Sequence, residues 1–332
     1  MDTDHPVRGL WCAMLTPVDK SGGVDHGRLV DHARRLLAQG VDGVAPFGTT
    51  GEGQSFGVGD RAAGLSALLA AGIPADRLVA ATGCAALSET ITLTRHGVQS
   101  GCAGCLVLPP FFFKEPADDG LFAWYARVIE AVGDARLRVL LYHIPQVTGV
   151  PLSVDLVARL AKAFPGIIAG VKDSSGDLAN TKALLARVPQ LAILVGHEPH
   201  LPRALRAGGV GTICGVANVY PQIVRALFSP NVSPSDEKRI ATFIDILFSQ
   251  PFLPAFKAIV AAQTGDPAWH AMCPPWTELG EAERRTLLAA LADAGLPATP
   301  PRHASALRKS GLTEHRARAL GPCPFFVGKA GQ

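Results

Sequence analysis

Short apolar runs alternate with longer segments of helical period along most of this chain. Eight runs, at 11–15, 44–47, 79–82, 106–108, 139–142, 167–172, 192–195 and 212–214, are β-like. None shows the strict polar/apolar alternation of a half-exposed sheet, which suits parallel strands buried on both faces. Between the runs the period changes. Leu29, Ala33, Leu36 and Leu37 recur at helical spacing, as do Leu121, Tyr125, Val128 and Val132. Shorter stripes follow at Leu156, Val157, Leu160 and Ala161, and at Leu184, Leu185 and Val188. Eight strand–helix alternations predict an α/β fold, a (β/α)8 TIM barrel over 1–225, although a doubly wound sheet is built from the same units.

Beyond the eighth unit the pattern is purely helical: Ile240, Phe243, Ile244 and Leu247, then 256–263, then 281–294. A C-terminal helical domain is therefore expected over 226–297. From Pro297 the composition turns to Pro, Ala, Arg and Gly, and a basic flexible tail is expected over 298–332.

Composition adds restrictions. Lys and Arg number 31 against 28 Asp and Glu, a surplus of three. The tail holds six basic residues and one acidic residue, so the rest of the chain is net minus two. The basic character belongs to that tail, and no nucleic-acid partner is expected. The start, MDTDHPVRG, has no apolar leader, and no later stretch runs to eighteen apolar residues without interruption, so no membrane partner is expected and the location is read as cytoplasmic. Seven scattered cysteines do not form a disulfide framework. Cys102 and Cys105 make a single CxxC with no second metal-spaced pair, and are read as two buried thiols.

A barrel carries its chemistry at the carboxyl ends of its strands. The fifth run ends on Tyr142 and the sixth on Lys172, polar groups closing two apolar strands that should be neighbours. A desolvated lysine supplies an amine that attacks ketones, and the iminium so formed is an electron sink. A nearby phenol can move the protons. The same pattern also fits a Lys172–Asp173 surface pair with Tyr142 packed in the core. After the second run, Gly48-Thr49-Thr50-Gly51-Glu52-Gly53 lacks the order of a P-loop or a dinucleotide fingerprint. Its backbone N–H groups and two hydroxyls could hold a carboxylate, or it is simply a tight βα turn.

These segments together carry a resemblance. Gly48-Thr49-Thr50-Gly51-Glu52, Tyr142-His143-Ile144-Pro145 with Thr148-Gly149, and Gly170-Val171-Lys172-Asp173-Ser174-Ser175 resemble the dihydrodipicolinate synthase and N-acetylneuraminate lyase family of class I aldolases. The likeness spans about residues 8 to 296. It implies a barrel with a C-terminal helical domain, assembled as a homo-oligomer, a tetramer or a dimer. It implies Lys172 as the Schiff-base lysine and Tyr142 as proton donor and acceptor. Thr49 and Thr50 would bind the 2-oxo acid carboxylate, with backbone contact from Ile213.

The sequence departs from the synthase branch at two places. The Arg that clamps the carboxylate of aspartate semialdehyde in that branch is replaced by Val147, and the tyrosine lent by a neighbouring subunit falls within Phe111-Phe112-Phe113. An apolar side chain is no cationic clamp, and a phenyl ring passes no proton. His197-Glu198-Pro199-His200 is not a HExxH metal motif, and no metal is expected. His197 and Glu198 resemble the sugar-contacting residues of the lyase branch and are read as specificity residues; helix capping is the alternative. The expectation is a Schiff-base lyase (class I aldolase) acting on a small-molecule 2-oxo acid and an aldehyde, with no cofactor beyond the lysine imine. A dehydratase of 2-oxo-3-deoxy sugar acids, a 4-hydroxy-tetrahydrodipicolinate synthase and a non-catalytic binding barrel are the alternatives.

Overall fold

In a computed structural model, residues 7–296 and Ala298 are described. The tail expected over 298–332 lies, apart from Ala298, outside the described residues. Eight parallel strands appear in the expected order: β1 (Gly9–Ala13), β2 (Gly43–Ala45), β3 (Val79–Ala81), β4 (Gly104–Val107), β5 (Val139–His143), β6 (Ile168–Asp173), β7 (Ala192–Val195) and β8 (Gly211–Cys214). Their pairing runs β2-β1-β8-β7-β6-β5-β4-β3, and a parallel bridge between Val44 and Leu78 joins the two ends. This is the TIM barrel, not the open doubly wound sheet.

The apolar runs lack alternation because each strand has two dry faces. One set of side chains, Trp11, Ala13, Ala45, Val79, Leu106, Leu140, Leu194 and Ile213 among them, fills the barrel interior. The other set, including Cys12, Val44, Cys105, Leu141, Val171 and Ile193, packs outward under the helices. The helical stripes meet that outer layer. In α1 (His26–Ala38), Leu29, Ala33 and Leu36 are fully buried, and in α4 (Asp118–Val132) Leu121, Tyr125 and Val128 are buried. Two strands stop earlier than the apolar runs suggest. β2 ends at Ala45 because Phe47 takes a left-handed conformation (φ 59°), and β1 ends at Ala13, after which Asn218 Oδ1 accepts the Leu15 N–H at 2.9 Å.

The register of β5 against β6 decides which way the carboxyl end of β6 faces. Val139 pairs with Ile168 but Leu140 pairs with Gly170, so Ala169 is an extra residue in β6. Side chains alternate along a strand, and one inserted residue reverses their parity. Ile168 therefore points outward, as does Val171, while Lys172 shares the inner face with its register partner Tyr142. Without the bulge the lysine would face the helices.

After β8 the chain forms the short helix α9 (Pro221–Ala226), and three longer helices follow: α10 (Pro234–Phe248), α11 (Phe252–Thr264) and α12 (Glu281–Asp293). They pack into the same compact unit as the barrel. α11 is buried over most of its length, from Leu253 to Ala261, and so is a core helix rather than a surface one. No single helix among the described residues is long and apolar enough to cross a membrane.

Candidate active site

Lys172 and Tyr142 sit side by side at the carboxyl ends of β6 and β5, each only 3% exposed. The Lys172 Nζ lies 4.2 Å from the centre of the Tyr142 ring. Asp173 takes no part in a surface pair with it. Its carboxylate points to the helix side and accepts the Ser175 N–H and hydroxyl, the Asn180 amide and the Thr181 hydroxyl, at 2.7 to 3.0 Å. Thus Asp173 ties β6 to α7 (Leu178–Arg187) rather than pairing with Lys172. His143, also facing outward, accepts the Leu152 N–H on Nδ1 at 3.0 Å, which braces the loop after the helical turn α5 (Pro145–Thr148). Burial pushes its pKa down, with Asp173 opposing.

The turn after β2 brings a third group. Thr49 Oγ1 lies 3.1 Å from the Tyr142 hydroxyl, within hydrogen-bonding distance. Two features force the turn into this shape. Glu52 adopts a left-handed conformation (φ 53°), and a Cβ at Gly53 would collide with the Phe47 carbonyl oxygen, so only glycine fits there. The Thr16 hydroxyl donates to Gly51 O at 2.7 Å, and the turn closes on itself through Gly53 N–H to Gly48 O at 3.0 Å. Thr50 is half-buried beside it.

A cavity of about 470 Å³ opens against these groups. Its wall includes Thr49, Tyr142, Leu108, Phe111, Val147 and Trp276. Lys172 is not part of that wall; its Nζ reaches the ring of Tyr142, which is. The size suits a small organic acid with a partner fragment. Thr50 and Ile213 stand apart from the cavity wall; Ile213 fills the barrel interior with Tyr142. Val147, in the wall, is 60% exposed, and Phe112 and Phe113, outside it, are 73% and 79% exposed.

His197 and Glu198 follow β7 and lie outside that wall. Glu198 is buried, and its Oε1 accepts the Val216 N–H at 3.1 Å, binding the loop after β7 to the loop after β8. Burial raises its pKa, opposed by the Glu198 and Val216 N–H groups and by the charge of Lys172. His197 is half-buried, with its ring 4.6 Å from that of His200, and burial lowers its pKa. The two CxxC thiols differ. Cys105 is buried on β4, while Cys102 is half-buried in the turn before it.

Sequence reasoning missed one ion pair at the site. Lys257 Nζ of α11 meets Glu52 Oε1 at 2.5 Å, both side chains fully buried. The signal was a single cation within the otherwise apolar run 252–261. It also missed Arg61 of α2 (Val58–Ala70), which is buried at the cavity wall and donates to Ala81 O at 2.6 Å.

A family model described as the dihydrodipicolinate synthetase family matches residues 6–294. The chain belongs to this family. An uncharacterized DapA-like lyase of Chloroflexus aurantiacus is 37% identical over 256 residues, which is 76% of this chain and 85% of that one. The crystal structure of dihydrodipicolinate synthase from Agrobacterium tumefaciens superposes with a TM-score of 0.82 at 40% identity, covering 87% of this chain and 99% of its own. YagE, a prophage protein of the dihydrodipicolinic acid synthase family from Escherichia coli K12, was crystallised with pyruvate; it has a TM-score of 0.79 at 25% identity and covers 87% and 99%.

Proposed function

We propose that this member of the dihydrodipicolinate synthetase family is a pyruvate-dependent Schiff-base lyase in which Lys172 is the nucleophile and Tyr142 the proton shuttle. The observation that carries the reading is the buried Lys172 amine against the Tyr142 ring, with the Thr49 hydroxyl on the phenol. In the cleavage direction the neutral amine adds to the 2-oxo carbon and water leaves, giving an iminium. Tyr142 accepts the C4 hydroxyl proton as the C3–C4 bond breaks, an aldehyde departs, and the electron pair remains as an enamine. Protonation and hydrolysis then release pyruvate. The iminium is the electron sink, so no further cofactor is needed. Thr49 and Thr50 would hold the carboxylate, with Ile213 against the pyruvyl group. We also place the enzyme in the cytoplasm as a homo-oligomer, with the exposed Phe112 and Phe113 supporting a covering copy.

Pyruvate with borohydride should attach covalently at Lys172, and Lys172→Arg should abolish the adduct, because a guanidinium stays protonated. Tyr142→Phe should keep the fold and slow turnover about 10²- to 10⁴-fold. An adduct on any other lysine would overturn the assignment.

The synthase activity itself is a second reading, favoured by the 40% identity to the Agrobacterium enzyme. Against it stands Val147, an apolar side chain in the wall of the cavity.

A further inference from the structure

The pair formed by Glu52 and Lys257 is fully buried, where the cost of desolvation can exceed the Coulombic gain. Two charges removed from water often gain little over well-packed apolar residues of the same volume, so the geometry such a pair specifies is the better place to look for its use. The geometry is unusual at both ends. Glu52 is the last residue of the Thr49-Thr50-Gly51-Glu52 turn and is held in a left-handed conformation. Among the described residues its Oε1 accepts no hydrogen bond other than the contact with Lys257, and its Oε2 receives the Cys273 N–H at 3.4 Å. Lys257 spends a second donor on Ala271 O at 3.0 Å. The neighbouring residue of α11, Phe256, reaches the same region: a Cβ on Gly215 would lie 3.1 Å from its ring and 3.4 Å from Thr50 Oγ1. A helix outside the barrel thus reaches the turn that carries both threonines.

We propose that Glu52 and Lys257 are positioning residues, which lock the turn after β2 so that the Thr49 hydroxyl meets the Tyr142 hydroxyl. The inference rests on the Schiff-base reading of Tyr142. The pair touches no reacting atom. It acts by pulling the Glu52 end of the turn toward α11, which fixes the Thr49 end against β5. In this way the C-terminal helices are part of the active site although none of their side chains performs the chemistry.

Breaking one partner leaves the other charge buried alone, and such variants can fail to fold. The test therefore uses the charge-free double variant Glu52→Leu with Lys257→Met, and separately Glu52→Asp, which keeps the charge and shortens its reach by one methylene. Each is measured with and without Thr49→Val, recording melting temperature, borohydride trapping of pyruvate at Lys172, and kcat and KM for the best 2-oxo acid. In the native background Thr49→Val should lower kcat about tenfold or more. The charge-free variant should melt near the native temperature and Glu52→Asp lower; both should still trap pyruvate, yet lose kcat about tenfold, and adding Thr49→Val should then cost less than twofold more. That non-additivity marks two changes acting on one contact. A pair variant with native kcat, or a Thr49→Val effect as large in the pair variants as in the native protein, overturns the inference. Should Thr49→Val leave kcat unchanged in the native background, the Thr49–Tyr142 reading falls first, and the inference with it. If the double variant does not fold, Glu52→Asp decides by the same two criteria.

Discussion

At the residue scale, the groups proposed for the chemistry and those proposed for specificity stand apart. The amine, the phenol and one threonine form a contiguous set, whereas Val147 stands elsewhere in the cavity wall and Glu198 is engaged with a backbone N–H. Aspartate semialdehyde should be a poor partner for the pyruvate-loaded enzyme, because Val147 offers its carboxylate no charge, and Val147→Arg should improve it. Condensation by the unaltered protein at a rate matching its best substrate, followed in a product-forming assay, would restore the synthase reading. For His197 and Glu198 two outcomes are distinct. If they meet substrate hydroxyls, truncation should cost about 1 to 3 kcal/mol in kcat/KM for the aldehydes that carry those hydroxyls, so His197→Ala and Glu198→Gln should reorder the aldehydes. The bond from Val216 N–H to Glu198 supplies the rival outcome: a uniform loss across substrates with a lowered melting temperature.

At the scale of elements, the strand ends do most to make the site. β6 carries one residue too many against β5, and the resulting parity turns Lys172 inward and Asp173 outward onto α7. Just after that bulge, Gly170 is packed so tightly that a Cβ would run into the Ala192 carbonyl oxygen of β7. Gly170→Ala should therefore part β6 from β7, at a cost of about 1 to 3 kcal/mol from overpacking. It should also weaken pyruvate trapping, since Lys172 lies two residues on. A denaturant melt with a native midpoint would show that the strands absorb the methyl freely and would remove Gly170 from this role.

At the scale of the whole molecule, a buried polar hub ties the end of β1 and the helix α1 to the loop after β8. Asn218, after β8, accepts the Leu15 N–H and lies 2.9 Å from His32 Nε2 of α1, and it donates to Ala13 O at 2.8 Å. Arg35 sits 3.1 Å from His32 Nδ1, so that nitrogen accepts and Nε2 carries the proton. Burial first, and then the Arg35 charge, push the His32 pKa down from 6.5 to about 3. The folded state thus holds a neutral imidazole where the unfolded chain titrates near 6.5. Between those values the unfolded state binds more protons, so the contribution of His32 is complete above pH 6.5 and is lost as pH falls toward 3, at no more than about 1.4 kcal/mol per pH unit. Melting temperatures between pH 7 and 4 should fall less steeply for His32→Gln than for the native protein. Parallel slopes would show that the hub does not govern the acid limb.

By itself the sequence determined the repeat of strand and helix, because parallel strands with two dry faces and helices with one leave unmistakable periods. It also placed Tyr142 and Lys172 at strand ends, where a polar residue after an apolar run is conspicuous, and its three motifs pointed to the family. Tertiary structure decided what period alone leaves open. Closure into a barrel depends on the contact of β2 with β3, far apart in the pairing order. The inward aim of Lys172 depends on one bulged residue, which no residue type announces. The partner of Glu52 lies 205 positions away on α11, and a buried ion pair is specified by where two backbones come together rather than by any local pattern.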